Sequence, residues 1–287
     1  MPDELDEAFE LGKTCATAAE CGRDLQRCAQ MYTGLFPQAV FGTEFFHGLT
    51  LAHAFSSPWA GAGRLRVVNR AALWVLAVDR HVEYTATTRA QVDRMTRECL
   101  SVAEGAVPRT ALTRFLADLR DEMTTAGGFE RLQRIWRDQL ADMLVAMTTA
   151  WEWRERRAVP TLARYVDNAD CRGSCFVDLS HWIYAADDWS KAHLDDLRTA
   201  SRQVQRYLHL LGDVVSYRRD MSWGDLNVLA LGVERTEVTD AMTELAGEAC
   251  ELIERLRLNS PKTASYLRRQ IGFSAGFTGV SGFRRVP

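Results

Sequence analysis

The sequence predicts an all-α protein, a single helical bundle of about ten helices joined by short connections. Apolar residues recur at helical spacing along most of the 287-residue chain. Glycine and proline cluster between those stretches, where connections are expected. No series of alternating β-branched runs separated by turn pairs is present, so a sheet is not expected. Because repeats and low-complexity linkers are also absent, we expect one domain over residues 1–287.

The individual helices follow from the same pattern, taken in chain order. Residues 73–84 begin as a strongly apolar helix and end in acidic residues. Further helices are predicted over Arg89–Gly105, Thr110–Ala126, Phe129–Arg157, Leu194–Tyr217 and Glu237–Leu258. The breaks are placed at Pro37, 57–63, 105–108, 127–128, Pro160 and 260–261.

Composition excludes several functional classes. Hydrophobic residues make up 47%, charged residues 25%, and the net charge is −3, which is typical of an ordinary globular protein. Arginines are interleaved with acids and form no basic stripe, so no nucleic-acid partner is expected. No apolar run reaches the ~18 residues of a membrane span, and the acidic N-terminus shows no targeting pattern. The seven cysteines have no histidines close in sequence, which favours buried thiols in a reducing cytoplasm over a zinc site.

The first chemical pattern lies at the end of the apolar helix 73–84. Asp79 and Glu83 are four residues apart, so an α-helix would place both carboxylates on one face. Magnesium is commonly bound by one or two carboxylates, with water and phosphate oxygens as its other ligands. Two solvated acids at a helix end would give the same pattern, so it carries little weight alone.

The second pattern occupies residues 211–227. Gly212, Ser216 and Asp220 step by four and therefore share one stripe of a helix. Ser216 and Asp220 offer a hydroxyl and a carboxylate as half of a second magnesium site, and Arg219 is suited to a diphosphate oxygen. An exposed, charged helix end is the alternative, although the apolar stretch before it, including Val214 and Val215, indicates a buried helix.

Together these motifs resemble those of class I terpene synthases. Asp79-Arg80-x-x-Glu83 is similar to the family's aspartate-rich DDxxD/E motif. Asp213-x-x-Ser216-x-x-x-Asp220, followed by Gly224-Asp225-x-Asn227, is similar to its second metal motif and is the more specific match. Residues 136–165 resemble the family's long helix with the Pro-x-x-x-x-Tyr start of the next, and the likeness extends over residues 40–285.

The chain departs from the family pattern at four places. Arg80 stands where the family has a second aspartate, and Gly212 stands where it has a metal-binding asparagine. Ala169 replaces the diphosphate-sensing arginine of many bacterial members, and Gly282-Phe283 replaces a terminal Arg-Tyr pair. Each departure removes a contact expected to hold the diphosphate or its metals.

The resemblance implies the roles of the site residues. It implies three Mg²⁺ ions, with Asp79 on two of them and Ser216 and Asp220 on the third; Glu83 and Asp213 complete the candidate ligands. Arg219 is the main candidate for binding the diphosphate. Arg172, Arg284 and Arg80 are further candidates, Arg80 alternatively as a partner of Asp79. Asp79, Glu83, Ser216, Arg219 and Asp220 are thereby the predicted catalytic residues.

The resemblance also implies a central apolar cavity that protects a carbocation from water. Aromatic faces stabilise a cation without reacting with it. The candidates by position are Phe45, Phe46, Phe55, Trp59, Trp74, Phe176, Trp182, Phe273 and Phe277, although ordinary core packing is an alternative for each. His181 is a candidate base for ending the cascade, with a role as a core histidine as the alternative.

The implied function is a magnesium-dependent diterpene cyclase acting on a C20 prenyl diphosphate. Small residues at 52–54 and 61–63 favour C20 over C15, the latter corresponding to a sesquiterpene synthase acting on farnesyl diphosphate. The substrate is either linear or a bicyclic labdane-type diphosphate supplied by an upstream class II cyclase. Homodimerisation is common among bacterial relatives. From a different class, a non-catalytic helical protein that binds a diphosphate lipid or a partner remains an alternative.

Overall fold

A computed structural model describes the backbone of residues 2–281 and the side chains of residues 4–170 and 172–277. Its α-helices are α1 (Pro2–Gln30), α2 (Thr43–Ser56), α3 (Ala62–Arg80), α4 (Arg89–Ala103), α5 (Ala111–Thr124), α6 (Phe129–Glu155), α7 (Leu162–Asp167), α8 (Ser174–Ala185), α9 (Asp188–Ala192), α10 (Leu194–Trp223), α11 (Arg235–Arg257) and α12 (Pro261–Ser281). A π-helical turn, His81–Thr85, continues α3, and a 3₁₀ turn, Ala169–Arg172, precedes α8. Over the described part of the chain there is no strand, so the predicted all-α class is confirmed.

Helix α3 lies in the centre of the bundle, in contact with α1, α2, α5 and α8. Its residues 71–75 are all buried, because this stretch is apolar on every side and an apolar helix needs neighbours all round. Trp74 packs 5.7 Å from Phe176 of α8, and Phe176 packs 5.3 Å from Trp136 of α6. Each indole also has a partner: Trp74 donates to Leu112 O at 3.0 Å and Trp136 to Ser180 Oγ at 2.9 Å.

Helix α10 is longer than the sequence indicated. The predicted end at Tyr217 is wrong, because the helix continues to Trp223 and ends at Gly224 in the left-handed conformation that favours glycine (φ +73°). The whole second motif up to Asp220 therefore lies on one helix. A smaller apolar cluster of Leu210, Val228 and Val238 with neighbouring side chains holds the following loop and α11 against α10.

Candidate active site

One cavity of about 310 Å³ opens between the C-terminal ends of α3 and α10 and the start of α8. It brings both acidic motifs together, since Asp79, Glu83, Ser216 and Asp220 all border it. The arginines at positions 80, 172 and 219 border it as well. Its walls also include the apolar side chains of Phe41, Phe45, Leu76, Leu208 and Val215. A charged mouth thus leads into a partly apolar interior.

Asp79 and Glu83 reach the same cavity by different backbone geometry than predicted. Asp79 lies in the last turn of α3, but Glu83 lies in the π-helical turn that follows, not on a continuous α-helix. The i→i+5 bond from Ala86 N to His81 O, 2.8 Å long, marks this wider turn. Single π turns are frequent at functional sites because they redirect side chains locally.

Asp220 is the centre of the second motif. Its carboxylate is almost fully buried and accepts hydrogen bonds from Ser216 Oγ, from Asn227 Nδ2 at 2.9 Å and from Arg219 Nη2 at 2.9 Å. Arg219 also stacks over Trp223, with its guanidinium carbon 5.0 Å from the ring centroid. Ser216, Arg219 and Asp220 are therefore assembled as one unit at the cavity wall.

Asp213, a predicted metal ligand, also borders the cavity, but its carboxylate is held by other groups of the protein. It is 1% exposed and accepts hydrogen bonds from Tyr165 OH at 2.5 Å, Val228 N at 2.9 Å and Arg172 Nη2 at 3.2 Å. Burial raises the pKa of this carboxyl, and the adjacent Arg172 opposes that shift. Position 213 is about 100° around the helix from Gly212, so its side chain turns inward from the stripe of ligands. Its geometry is that of an anchor for Arg172 and the loop after α10.

Two side chains that were not assigned to the site join its opposite sides. Tyr84, in the π turn, donates to Asp225 in the loop after α10, with oxygen–oxygen distances of 3.0 and 3.2 Å. Both residues border the cavity, and burial raises the pKa of Asp225. Tyr84 directly follows Glu83, and Asp225 stands in the tail of the second motif, which is the signal that would have identified them. Arg80 stacks over the same Tyr84 at 5.8 Å, whereas Arg284 lies outside the described residues.

The structure places most of the predicted cavity aromatics elsewhere. Of the eight main candidates, Phe45 borders the cavity, joined by Phe41, which was not predicted. Trp74, Phe176 and Trp182 are buried among helices in the core, and Trp59 is 39% exposed. Phe55, Phe273 and Phe277 stack on one another between α2 and α12, at centroid distances of 5.6 and 5.0 Å. Phe46, the remaining aromatic, is also buried away from the cavity. Sequence spacing identified apolar faces but not which face meets the cavity.

His181 is also away from the cavity. It packs 5.0 Å from Tyr266, and burial lowers its pKa to about 3, so the ring is neutral. This is the setting of a core histidine, the alternative to its proposed role as a base. His209 on α10, in contrast, borders the cavity and contacts Tyr165 edge-on at 4.9 Å.

Deeper on α10, Gln205 borders the cavity and joins a buried polar cluster. The centre of this cluster is Asp178 of α8, which accepts hydrogen bonds from four side chains. Its donors are Ser201 Oγ at 2.6 Å, Gln205 Nε2 at 3.1 Å, Tyr266 OH at 2.7 Å and Gln270 Nε2 at 2.7 Å. Burial raises the pKa of Asp178, and the four donors oppose the shift. Gln205 continues the stripe of positions 209, 212 and 216, so helical spacing alone would have found it.

Comparison with known proteins decides the family. The model of terpene synthase family 2, C-terminal metal binding, matches residues 72–255, which include both acidic motifs. The chain belongs to this terpene synthase family. No curated protein sequence matches it.

Solved structures of bacterial terpene synthases share the fold. Linalool/nerolidol synthase from Streptomyces clavuligerus, in complex with 2-fluorogeranyl diphosphate, is 15% identical with a TM-score of 0.67, over 92% of this chain and 98% of that one. For 2-methylisoborneol synthase from Streptomyces coelicolor A3(2), the identity is 14% and the TM-score 0.66, over 95% and 92%. For germacradien-4-ol synthase from Streptomyces citricolor, the values are 13% and 0.65, over 94% and 96%.

The donor set of this terpene synthase fits the metal binding that its family implies. Asp79, Glu83, Ser216 and Asp220 present oxygen ligands, which magnesium prefers. Among the described residues, no three His, Cys, Asp or Glu side chains form a closed metal cluster. Magnesium takes one or two carboxylates and keeps waters and substrate phosphates as its remaining ligands, so the four oxygen-bearing side chains at the cavity fit it. Across residues 2–281, none of the helices combines the length and the apolar character needed to cross a membrane.

Proposed function

We propose that this terpene synthase is a magnesium-dependent class I enzyme that ionises a prenyl diphosphate and cyclises or rearranges the resulting carbocation. The observation that carries the proposal is the cavity itself, where the two acidic motifs and Arg172 and Arg219 border one mouth above apolar walls. A diphosphate and its hydrocarbon chain have the same division into charged and apolar parts. We extend the proposal to the whole chain, residues 1–287, as one domain.

The side chains divide the work according to their positions. Three Mg²⁺ ions would be held at the mouth. Asp79 and Glu83 would bind them from one side, and Ser216 and Asp220 from the other. When bound, the metal supplies positive charge that stabilises the leaving diphosphate. Arg219 and Arg172 would donate to its oxygens, and the ion pair with Asp213 supports the position of Arg172. Phe41 and Phe45 offer aromatic faces to the cation and exclude water from it.

Chain length is the finer part of the proposal. The small residues at 52–54 and 61–63, which favoured a C20 substrate, do not border the cavity and therefore add no room to it. A volume of about 310 Å³ is at the lower end for ligand pockets, which favours the C15 alternative. The predicted C20 substrate is either linear or a bicyclic diphosphate made by a class II cyclase, and both forms are tested together with the C15 substrate.

The experiment is incubation of the purified full chain with Mg²⁺ and one diphosphate at a time, followed by gas chromatography of a hexane extract. The panel is geranyl, farnesyl, geranylgeranyl and a bicyclic labdane-type diphosphate; geranyl is included because a structural relative holds its fluoro analogue. We expect a product from one substrate that disappears with EDTA. Release of no product, together with Mg²⁺-dependent binding of the diphosphate by calorimetry, would contradict the proposal and support the non-catalytic alternative.

Light scattering on the same sample tests for the homodimer common among bacterial relatives. A mass near 32.3 kDa would identify a monomer, and twice that value the dimer.

A further inference from the structure

The floor of the cavity contains an amide whose orientation is determined by its partners. Gln205 Nε2 has two hydrogens; one is directed to Asp178 Oδ2 at 3.1 Å and the other to Gln270 Oε1 at 3.0 Å. Gln270 in turn donates to Asp178 Oδ1 at 2.7 Å. Exchanging the oxygen and nitrogen of Gln205 would place its carbonyl oxygen against two acceptors. The amide nitrogen of Gln205 therefore faces the cluster.

The carbonyl oxygen of Gln205 is directed away from that cluster. Gln205 borders the cavity, whereas Asp178 and Gln270 do not. The cavity lining includes the apolar side chains of Phe45, Leu76 and Leu208, with His209 one turn along the helix from Gln205. An acceptor oxygen at such a partly apolar wall is costly unless a donor satisfies it, and a trapped water is the usual donor.

We propose that Gln205 Oε1 holds a water molecule at the cavity floor and that this water captures the carbocation, so that the enzyme releases a terpene alcohol. This inference rests on the proposed function. Gln205 lies 11 residues before Ser216 on α10, about 16 Å along the helix axis. The water is therefore far from the diphosphate and reacts with the hydrocarbon part of the substrate.

The step balances with solvent water as the only co-reactant. The carbon–oxygen bond to the diphosphate breaks, and its electron pair leaves with the diphosphate. A lone pair of the water then forms a carbon–oxygen bond to the cationic carbon. The oxonium that results passes one proton to a second solvent water, since the diphosphate lies too far away to accept it directly. Gln205 accepts a hydrogen bond throughout and is not itself protonated, so it acts as a positioning residue for the nucleophile.

The test is the ratio of alcohol to hydrocarbon product in water enriched in ¹⁸O, measured by mass spectrometry on the diphosphate that the wild type converts. The wild type should release an alcohol that carries the label. Gln205→Leu should lower the alcohol-to-hydrocarbon ratio about fivefold or more, the effect of losing one hydrogen bond, while substrate consumption continues. Gln205→Met, which keeps the side-chain length, replaces the leucine variant if that protein does not fold.

Ser201→Ala is the matched control. It removes another donor to Asp178 but does not border the cavity, so the product ratio should stay at the wild-type value. An equal change in both variants, an unchanged ratio in Gln205→Leu, or a wild type that releases only hydrocarbon would overturn the inference and leave the proposed function standing. Release of no product from any diphosphate would overturn the proposed function, and this inference with it.

Discussion

Asp220, at the cavity wall, accepts hydrogen bonds from the hydroxyl of Ser216, the amide of Asn227 and the guanidinium of Arg219. We expect Asp220→Asn to lower turnover by a factor of about 10² or more, because it removes the charge that would hold a metal while keeping the side-chain shape. The measurement is kcat beside a thermal unfolding curve. Asp196→Asn, at the exposed start of the same helix, is the control. Near-normal turnover in Asp220→Asn would contradict the second metal site.

Gly212 occupies the position where the family has a metal-binding asparagine. A Cβ at this position would meet no atom within 4 Å, so a substitution causes no clash at the first side-chain atom. We expect Gly212→Asn to lower the Mg²⁺ concentration needed for half-maximal activity, since an oxygen ligand is restored to the stripe of Ser216 and Asp220. An unchanged magnesium dependence would show that Gly212 is not the vacated ligand position.

Gly173, before α8, has no such room. Its φ is +73°, and an added Cβ would overlap Val75 Cγ1 and lie 2.9 Å from Met143 Sδ. We expect Gly173→Ala to lower the free energy of unfolding by about 2–4 kcal/mol through backbone strain and overpacking. Denaturant unfolding measures it. Gly63→Ala, where the Cβ meets nothing within 4 Å, should change stability little; equal effects in the two variants would refute the steric explanation.

At the scale of the elements, Tyr84 connects the π turn to the loop after α10. Its bond to Asp225 crosses the cavity mouth, so Tyr84→Phe should loosen the two sides relative to each other. We expect KM for the diphosphate to rise about fivefold, the effect of losing roughly one hydrogen bond, with little change in Tm because Tyr84 is 43% exposed. Steady-state kinetics and a melting curve provide the two readings. A fall in Tm with unchanged KM would point to a purely structural role.

The helices were predictable from sequence where a clear apolar stripe ran between Gly or Pro breaks, as in α4, α5 and α6. What sequence spacing missed has local causes. The six additional residues of α10 depend on where a left-handed glycine ends the helix. The charged residues of the motif before that glycine interrupt the apolar pattern, so the end could not be located from sequence. The π turn at Glu83 has no signature in residue type. The aromatics Trp74 and Phe273 were assigned to the cavity, which they do not border, because a buried side chain's neighbours depend on packing between helices.

On the scale of the whole molecule, two buried histidines predict acid sensitivity. Burial lowers the pKa of His53 to about 4 and that of His181 to about 3, from 6.5. Between pH 6.5 and these lowered pKa values, the unfolded chain therefore binds more protons than the folded one. The stability that the neutral rings contribute is therefore complete above pH 6.5 and is lost as pH falls toward 4 and 3. The buried Asp178, whose raised pKa acts in the opposite direction, opposes this loss at the acid end.

A variant separates the contribution of His181 to the pH dependence of stability from that of Asp178. His181→Phe keeps a ring against Tyr266 and removes the titrating group. We expect its free energy of unfolding to fall less than that of the wild type between pH 6.5 and 4, by about 3 kcal/mol at pH 4. Urea unfolding at several pH values gives the comparison, and parallel pH profiles would contradict the assignment.

Helix α10 has one further consequence for how such a chain can change. Asp220 at the mouth and Gln205 at the floor lie on the same continuous rod, 15 residues or about 22 Å apart. Substitutions separated by this distance normally have independent effects. Substitutions near position 205 can therefore change the product that the carbocation forms during evolution, while the residues that ionise the substrate at the other end of the helix stay the same. One continuous helix thus lets product identity diverge without first losing activity.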